Sequence, residues 1–409
     1  MKTNVKKRLR NAFTLEQADG RWWLMTPDGF RFISLGLNHI SAIARDDTHG
    51  IFSRQYSGNW QKVANKAVAD LRSWGFNTAG YDCPRQMWDK MPFIAEVYLA
   101  NVSYWMPQEM FSYPDVFAPA YQEQTRLRVR QVCLAARNNP NLIGYYWTDT
   151  PQWDIRKARE KRGTDWVSAI RAMDNSAPGK LRYVQFLKEK YENGPTRFTK
   201  AYGIDAKSFD ELAANDFTRL DISRPQVYRD DTEFLALIAR RYYSLATQAV
   251  REYDPEHLIL ADRYLADDHP EFVLKEALPY IDVLSLQPWR ISFNAELFDK
   301  LHELSGKPIL IGDHQSSFYT DAYPKTMWPQ LPDEAAAAEA YGRYLPDAFA
   351  RPYIIGYHRC QYIDRFETRL GVLKQGLLRE DQSPYEVLVE AVRRTNLTVL
   401  RNLGIGTET

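Results

Sequence analysis

Two stretches of the chain place a carboxylate directly after a short apolar run. The first is Asn141-Leu142-Ile143-Gly144-Tyr145-Tyr146-Trp147-Thr148-Asp149-Thr150-Pro151-Gln152-Trp153, led in by the turn residues Asn138-Asn139-Pro140. The second is Lys307-Pro308-Ile309-Leu310-Ile311-Gly312-Asp313-His314-Gln315. A short apolar run bounded by turn residues reads as a buried strand. A carboxylate at the C-terminal end of a buried parallel strand stands where an α/β barrel does its chemistry. One such Asp could equally cap the helix after its strand. Two of them, on separate strands, favour paired acid and base work. One carboxyl protonates a leaving oxygen, and the other, ionised, attacks carbon or activates water. On this reading Asp149 is the general acid and Asp313 the nucleophile or base.

Such a pair needs a frame. Strands are expected at residues 32–37, 77–81, 96–101, 142–147, 258–262, 281–286, 308–312 and 353–357. Helices are expected between them at 60–74, 121–137, 232–253 and 334–350, and after the last at 385–395. In the second of these helices Leu127, Val129, Val132, Cys133 and Ala136 fall at helical spacing. Eight strands alternating with helices predict a (β/α)8 barrel over residues 31–409. Residues 151–230 break the rhythm and read as a helical insertion after the fourth strand, with helices at 180–191 and 208–214. Residues 1–30 read as a basic leader and a small hairpin, whose strand runs into the Pro27-Asp28-Gly29 turn.

The expected strand ends carry a polar and aromatic rim. In chain order these are Asn38 and His39; Tyr81, Asp82 and Arg85; Asn101, Tyr104 and Trp105; Asp149 and Trp153; Asp262, Arg263 and Tyr264; Gln287 and Trp289; Asp313 and His314; His358, Arg359 and Gln361. Arg263 would hold a nucleophile ionised, or else pair with Asp262. Trp105, Trp153 and Trp289 are candidate sugar platforms or core packing. Arg85, Arg263, Arg290 and Arg359 suit a sulfated or carboxylated sugar, or local ion pairs.

Bulk properties narrow the classes. With 409 residues, 44% hydrophobic and 26% charged, the chain has ordinary globular composition and length enough for a large core. A net charge of +1 argues against nucleic acid or an anionic membrane as partner. The 11 Trp, 25 Tyr and 19 Phe are many, and aromatic clefts suit the C–H faces of sugars. Cys83, Cys133 and Cys360 lie far apart, and no ligand-type His spacing occurs, so no metal and no other cofactor is expected. No apolar run approaches a membrane span, and no signal peptide is visible. The protein is then cytoplasmic, or exported with its signal removed. Oligomeric state is not legible.

Several motifs, in order, resemble glycoside hydrolase family 50, the β-agarases. They are Gly20-Arg21-Trp22-Trp23-Leu24 with Pro27-Asp28-Gly29; Phe32-Ile33-Ser34-Leu35-Gly36-Leu37-Asn38-His39; Tyr113-Pro114-Asp115-Val116-Phe117; Asn141 to Tyr145; Tyr280-Ile281-Asp282-Val283-Leu284-Ser285; Lys307 to Gly312; and Gly356-Tyr357-His358 with Gln361-Tyr362. Phe186 to Tyr191 is also similar to helices of family 42 β-galactosidases. The resemblance implies a TIM barrel that cleaves a polysaccharide or oligosaccharide, with an agar-type or other sulfated marine galactan as first expectation. From the strand-end rim, Asn38, His39, Tyr81, Asn101, Trp105, Trp153, Arg263, Gln287, Trp289, His314, His358 and Gln361 are the expected substrate contacts. The family's acid/base and nucleophile are both Glu. Here Thr150 stands at the first position, after Asp149, and Asp313 at the second. Asp is shorter by one methylene, roughly 1.5 Å, and a wider pair favours inversion through a lodged water. Two other readings stay open: a sugar-binding barrel without turnover, and a lyase or isomerase using His39, His314 or His358 as base.

Overall fold

The computed structural model describes residues 11–45, 50–192, 194–204, 207–209, 211, 220 and 223–406. Eight strands form a closed barrel: β1 Ser34–Leu37, β2 Thr78–Ala79, β3 Phe93–Glu96, β4 Leu142–Asp149, β5 Leu258–Leu265, β6 Leu284–Gln287, β7 Ile309–His314 and β8 Ile354–Arg359. Each pairs in parallel with its sequence neighbour, and β8 closes onto β1. The expected barrel is present. Its helices are α1 Trp60–Ser73, α2 Pro119–Ala136, α3 Ile155–Arg162, α4 Trp166–Arg171, α5 Pro178–Lys190, α6 Pro195–Tyr202, α7 Pro225–Tyr253, α8 Glu271–Ala277, α9 Ala295–Ser305, α10 Glu334–Phe349 and α11 Glu386–Asn402. Between β2 and β3 the crossover carries only a 3-10 turn, Arg85–Met87.

The apolar runs become strands because barrel strands are covered on both faces. Seven residues of β4 are buried, and only Asp149 at its end is partly exposed. The third strand lies earlier than its pattern suggested. It ends at Glu96, and residues 97–100 leave the barrel as a loop. Val97, Leu99 and Ala100 are buried there, which is why the run stays apolar past the strand.

Below the barrel, Thr14–Ala18, Arg21–Met25 and Arg31–Phe32 form a three-stranded antiparallel sheet rather than a simple hairpin. Its Phe13 and Leu24 pack with Ile143, Leu258 and Val283, at or beside the starts of three barrel strands. Trp22 N donates to Pro352 O at 2.8 Å, tying the sheet to the start of β8. The floor of the barrel is therefore plugged, and the opposite end is left for chemistry.

The insertion holds α3 to α6. Its polar anchors sit on α7, where Asp230 and Asp231 are fully buried. Asp230 accepts from Tyr191 and Tyr202 hydroxyls, each at 2.7 Å, and Asp231 pairs with buried Arg171. Burial without such partners would cost several kcal/mol per carboxylate, so these contacts fix the insertion on the barrel. Helix α7 begins at Pro225, seven residues before the expected start, with proline at its first turn. Of the helix expected at 208–214, only Ser208, Phe209 and Glu211 are described. The basic leader also lies outside the described residues.

Candidate active site

A cavity of about 740 Å³ opens at the C-terminal end of the strands, walled by Asp82, Glu96, Asp149 and Asp313 among others. The strand register brings Asp149 and Arg263 side by side as Cα partners on β4 and β5. Arg263 is 1% exposed. Its Nη2 lies 2.9 Å from Asp149 Oδ1, and its Nη1 lies 3.4 Å from Asp313 Oδ2. One buried guanidinium thus bridges both carboxylates. Neither contact has hydrogen-bond geometry, so the hold is mainly one of charge. The ring of Tyr81 packs 3.5 Å from the guanidinium carbon.

Asp313 is 1% exposed and fully surrounded. Asn38 Nδ2 donates to its Oδ1 at 2.8 Å, and Gln287 Nε2 donates to its Oδ2 at 2.8 Å. Burial alone would favour its neutral form. The charge of Arg263, a hydrogen bond and charge from His39, and the charge of Lys374 outweigh that and hold it well below the usual carboxylate range. Two glycines make room for this shell. A Cβ on Gly80 would stand 2.1 Å from Asn38 Oδ1, and one on Gly312 would stand 2.5 Å from Ser285 Oγ.

His39 lines the cavity between Asp82 and Lys374. Its Nδ1 is 2.9 Å from Asp82 Oδ2, and Lys374 Nζ is 3.0 Å from its Nε2. Asp82 also meets Arg45 at 2.5 Å. Burial raises the Asp82 carboxyl, but His39, Arg45 and Lys374 bring it down to about 2. His39, Asp313 and Cys360 each present a possible metal-ligand atom, all within 4.8 Å of one another. The Lys374 ammonium already supplies positive charge at that point. Three non-glycine residues at the strand ends, His39, Asp82 and Thr150, have left-handed φ of 59°, 58° and 40°. Such conformations cost energy and persist where the surroundings over-determine them, commonly at functional sites.

Glu96 is the residue the sequence reading missed. It ends β3, lines the cavity, and accepts from the Asp82 backbone N–H. Burial first, then the neighbouring Asp82 charge, pushes its carboxyl up to about 8. A signal was present: Phe93-Ile94-Ala95-Glu96 has the same apolar-run-then-acid design as the stretches carrying Asp149 and Asp313.

Aromatic residues form one wall. Trp105 and Trp289 stack at 5.2 Å with 18° between planes, and Trp289 stacks on Trp328 at 4.7 Å. Trp105 and Trp289 also border a second cavity of about 550 Å³ with Asp267, Asp268 and Arg290. Lys161 on α3 lies over the Tyr104 ring, 2.9 Å from its centroid. With Arg45, Arg365, Arg369 and Lys374 it lines the main cavity.

Asn38, His39, Tyr81, Trp105, Arg263, Gln287 and Trp289 thus gather at or against the cavity with Asp149 and Asp313. Other expected contacts do not. Asn101 is exposed away from the cavity, because β3 ends five residues earlier. Trp153 is 2% exposed and stacks on Trp166 at 4.5 Å, within the core under the insertion. His314 stacks on Tyr344 at 3.9 Å, with Nε2 2.7 Å from Arg290 O. His358 sits inside the barrel, with Nε2 2.8 Å from Ser34 Oγ. Burial lowers both histidines to about 3, so they are neutral core groups. Gln361 donates from Nε2 to Ile363 O and Lys374 O, each at 2.7 Å, and so positions the segment carrying Lys374. Arg85 covers Trp88 outside the cavity, and buried Arg359 packs near Tyr341. Arg290 pairs with Asp267 at 2.8 Å beside the second cavity. Asp262 is a core acceptor for Thr148 N, Tyr242 and Tyr243, not a partner of Arg263.

No family model matches the chain. Its sequence is similar to Beta-agarase B of Vibrio sp. (strain JT0107), 23% identical over 386 residues, covering 88% of this chain. Beta-agarase A of the same strain is 21% identical over 366 residues, covering 82% of this chain. The chain spans 40% and 36% of the lengths of these two relatives. A solved exo-beta-agarase superposes with a TM-score of 0.80 at 19% identity, over 96% of this chain and 66% of that chain. The agarase AgWH50C gives 0.79 at 19% identity, over 96% and 65%. A beta-galactosidase from the psychrophilic Marinomonas ef1 gives 0.59 at 12% identity, over 92% and 61%. In sequence and in fold, the chain resembles the β-agarases of glycoside hydrolase family 50.

Proposed function

We propose that the protein is a glycoside hydrolase acting on an agar-type or related galactan. The observation carrying this is the bridging of Asp149 and Asp313 by one buried Arg263 in an aromatic-walled cavity. Asp313, held ionised by Arg263 and two amide donors, is the nucleophile or the base that activates water. Asp149 is the second carboxylate of the pair. Both contact the same guanidinium, so a change of charge on one alters the hold on the other. Trp105, Trp289 and Trp328 offer flat apolar faces for sugar rings. Lys161, Arg45 and Lys374 on the cavity wall favour a sulfated or carboxylated galactan. The named β-agarases support the substrate class. The histidine-base alternative is reduced to His39, since His314 and His358 are core groups.

Reducing-end release from agarose, porphyran, carrageenans, fucan and plant galactans tests this reading. Release from one polymer, abolished in Asp313→Asn and strongly reduced in Asp149→Asn, is the expected result. A second reading, sugar binding without turnover, is favoured by Thr150 standing at the position of the family's acid/base glutamate. It predicts retained affinity on a glycan array and no release from any polymer.

A further inference from the structure

Glycoside cleavage needs a carboxyl that carries a proton at the pH where its partner is ionised. Asp313 is held ionised, and Asp149 lies 2.9 Å from the Arg263 guanidinium. We propose that Glu96, at the end of β3, is the proton donor to the leaving oxygen, a role that rests on the hydrolase reading and displaces Asp149 from it. Three observations support this assignment. Glu96 lines the same cavity as Asp149 and Asp313. Its Oε1 is fixed by the Asp82 backbone N–H, which orients the carboxyl. Its charged neighbourhood favours the neutral acid. Facing it are Asp82 and Cys83 after β2, Tyr146 and Asp149 on β4, and Arg263 on β5. Of these groups Arg263 is the cation, and its charge is shared with Asp149 and Asp313, while Arg45 on the cavity wall pairs with Asp82. Burial adds to the two carboxylates in holding the Glu96 proton to about pH 8.

The step balances. The Glu96 O–H bond breaks and its proton goes to the glycosidic oxygen. The bond from that oxygen to the anomeric carbon breaks, and its electron pair stays on the oxygen. The anomeric carbon gains an oxygen from Asp313, or from a water whose proton Asp313 takes. Glu96 is left ionised; in the first case it takes a proton from a water whose oxygen displaces Asp313 from the anomeric carbon, and in the second Asp313 returns its proton to solvent as Glu96 regains one. Asp149 then keeps Arg263 in place and is a positioning residue.

Two measurements on the full chain decide this. The first is the pH dependence of hydrolysis of the best polymer from the panel. Wild type should lose activity above pH about 8, and Glu96→Gln should fall at least about 100-fold at pH 7. Asp149→Asn should be slower and keep an alkaline limb, moved to lower pH because one of the carboxylates that hold the Glu96 proton is gone. Glu96→Asp, which retains a carboxyl, should keep a limb at reduced rate. The second is the thermal midpoint against pH, which needs no substrate. Glu96→Gln should match wild type near pH 4 and exceed it by a margin that grows up to about pH 8, because the unfolded glutamate ionises above about pH 4 while the folded one keeps its proton. A Glu96→Gln enzyme with more than a third of wild-type activity overturns the proposal. So does an alkaline limb that vanishes in Asp149→Asn rather than in Glu96→Gln. Hydrolysis without a midpoint gap defeats the Glu96 role alone. A gap without hydrolysis of any polymer defeats the hydrolase reading and leaves Glu96 a structural acid.

Discussion

Replacing Arg263 with Met tests the electrostatic logic of the site most directly. The side chain is 1% exposed, and Asp149 and Asp313 side chains are 14% and 2% exposed. Met keeps the apolar stem and removes the charge, so two largely buried carboxylates lose their shared cation. Breaking a buried ion pair from one side costs about 3–5 kcal/mol. For 409 residues the unfolding entropy is roughly 0.9 kcal/mol/K, so the midpoint should fall by about 3–6 °C near neutral pH. Asp313 should also titrate higher. Its folded value is depressed, so its stabilising contribution is present above the unfolded carboxylate value of about 4. That contribution is lost as pH falls through the folded value. In Arg263→Met the folded value moves toward the unfolded one, and this acid-side dependence flattens. The acid limb of kcat/KM should then move at least about one pH unit upward, equivalent to about 1.4 kcal/mol. Calorimetry from pH 3 to 8, with rates over the same range, checks both effects. Adding Asp149→Asn to Arg263→Met should recover part of the lost midpoint, because it removes one uncompensated charge. An unchanged midpoint together with an unchanged acid limb would refute the bridging role of Arg263.

Further outcomes are expected elsewhere. Gly80→Ala puts a Cβ 2.1 Å from Asn38 Oδ1, displacing the amide that holds Asp313; kcat should fall at least tenfold, and circular dichroism should show an intact barrel. Trp105→Ala should raise KM roughly fivefold at unchanged stability, from about 1 kcal/mol of lost stacking. Trp153→Ala should instead destabilise by about 3–5 kcal/mol, since that ring is core; chemical denaturation separates the two. Lys161→Ala should weaken use of a sulfated galactan more than of neutral agarose, read as the ratio of their kcat/KM values.

The local pattern of the chain determined the barrel. Apolar runs bounded by turns, alternating with amphipathic helices, have few ways to bury their apolar surface, and a closed parallel barrel is one. The same pattern located Asp149 and Asp313, because each ends a buried run. Tertiary structure decided which strand-end residues share a cavity. Trp153 and Trp105 look alike in sequence, yet Trp153 is covered by Trp166 of the insertion and Trp105 faces the cleft. His39, His314 and His358 each follow or end a strand, but the pleat and the packing against Tyr344 and Ser34 turn His314 and His358 away from the cavity that His39 lines. Glu96 was hidden because buried loop residues extend its apolar run, masking where the strand stops. Its raised proton affinity depends on Asp82, contributed by a neighbouring strand end, and on burial beneath the loops. Charge and burial at a point are sums over distant parts of the chain. No local pattern carries them, and they exist only once the strands are assembled.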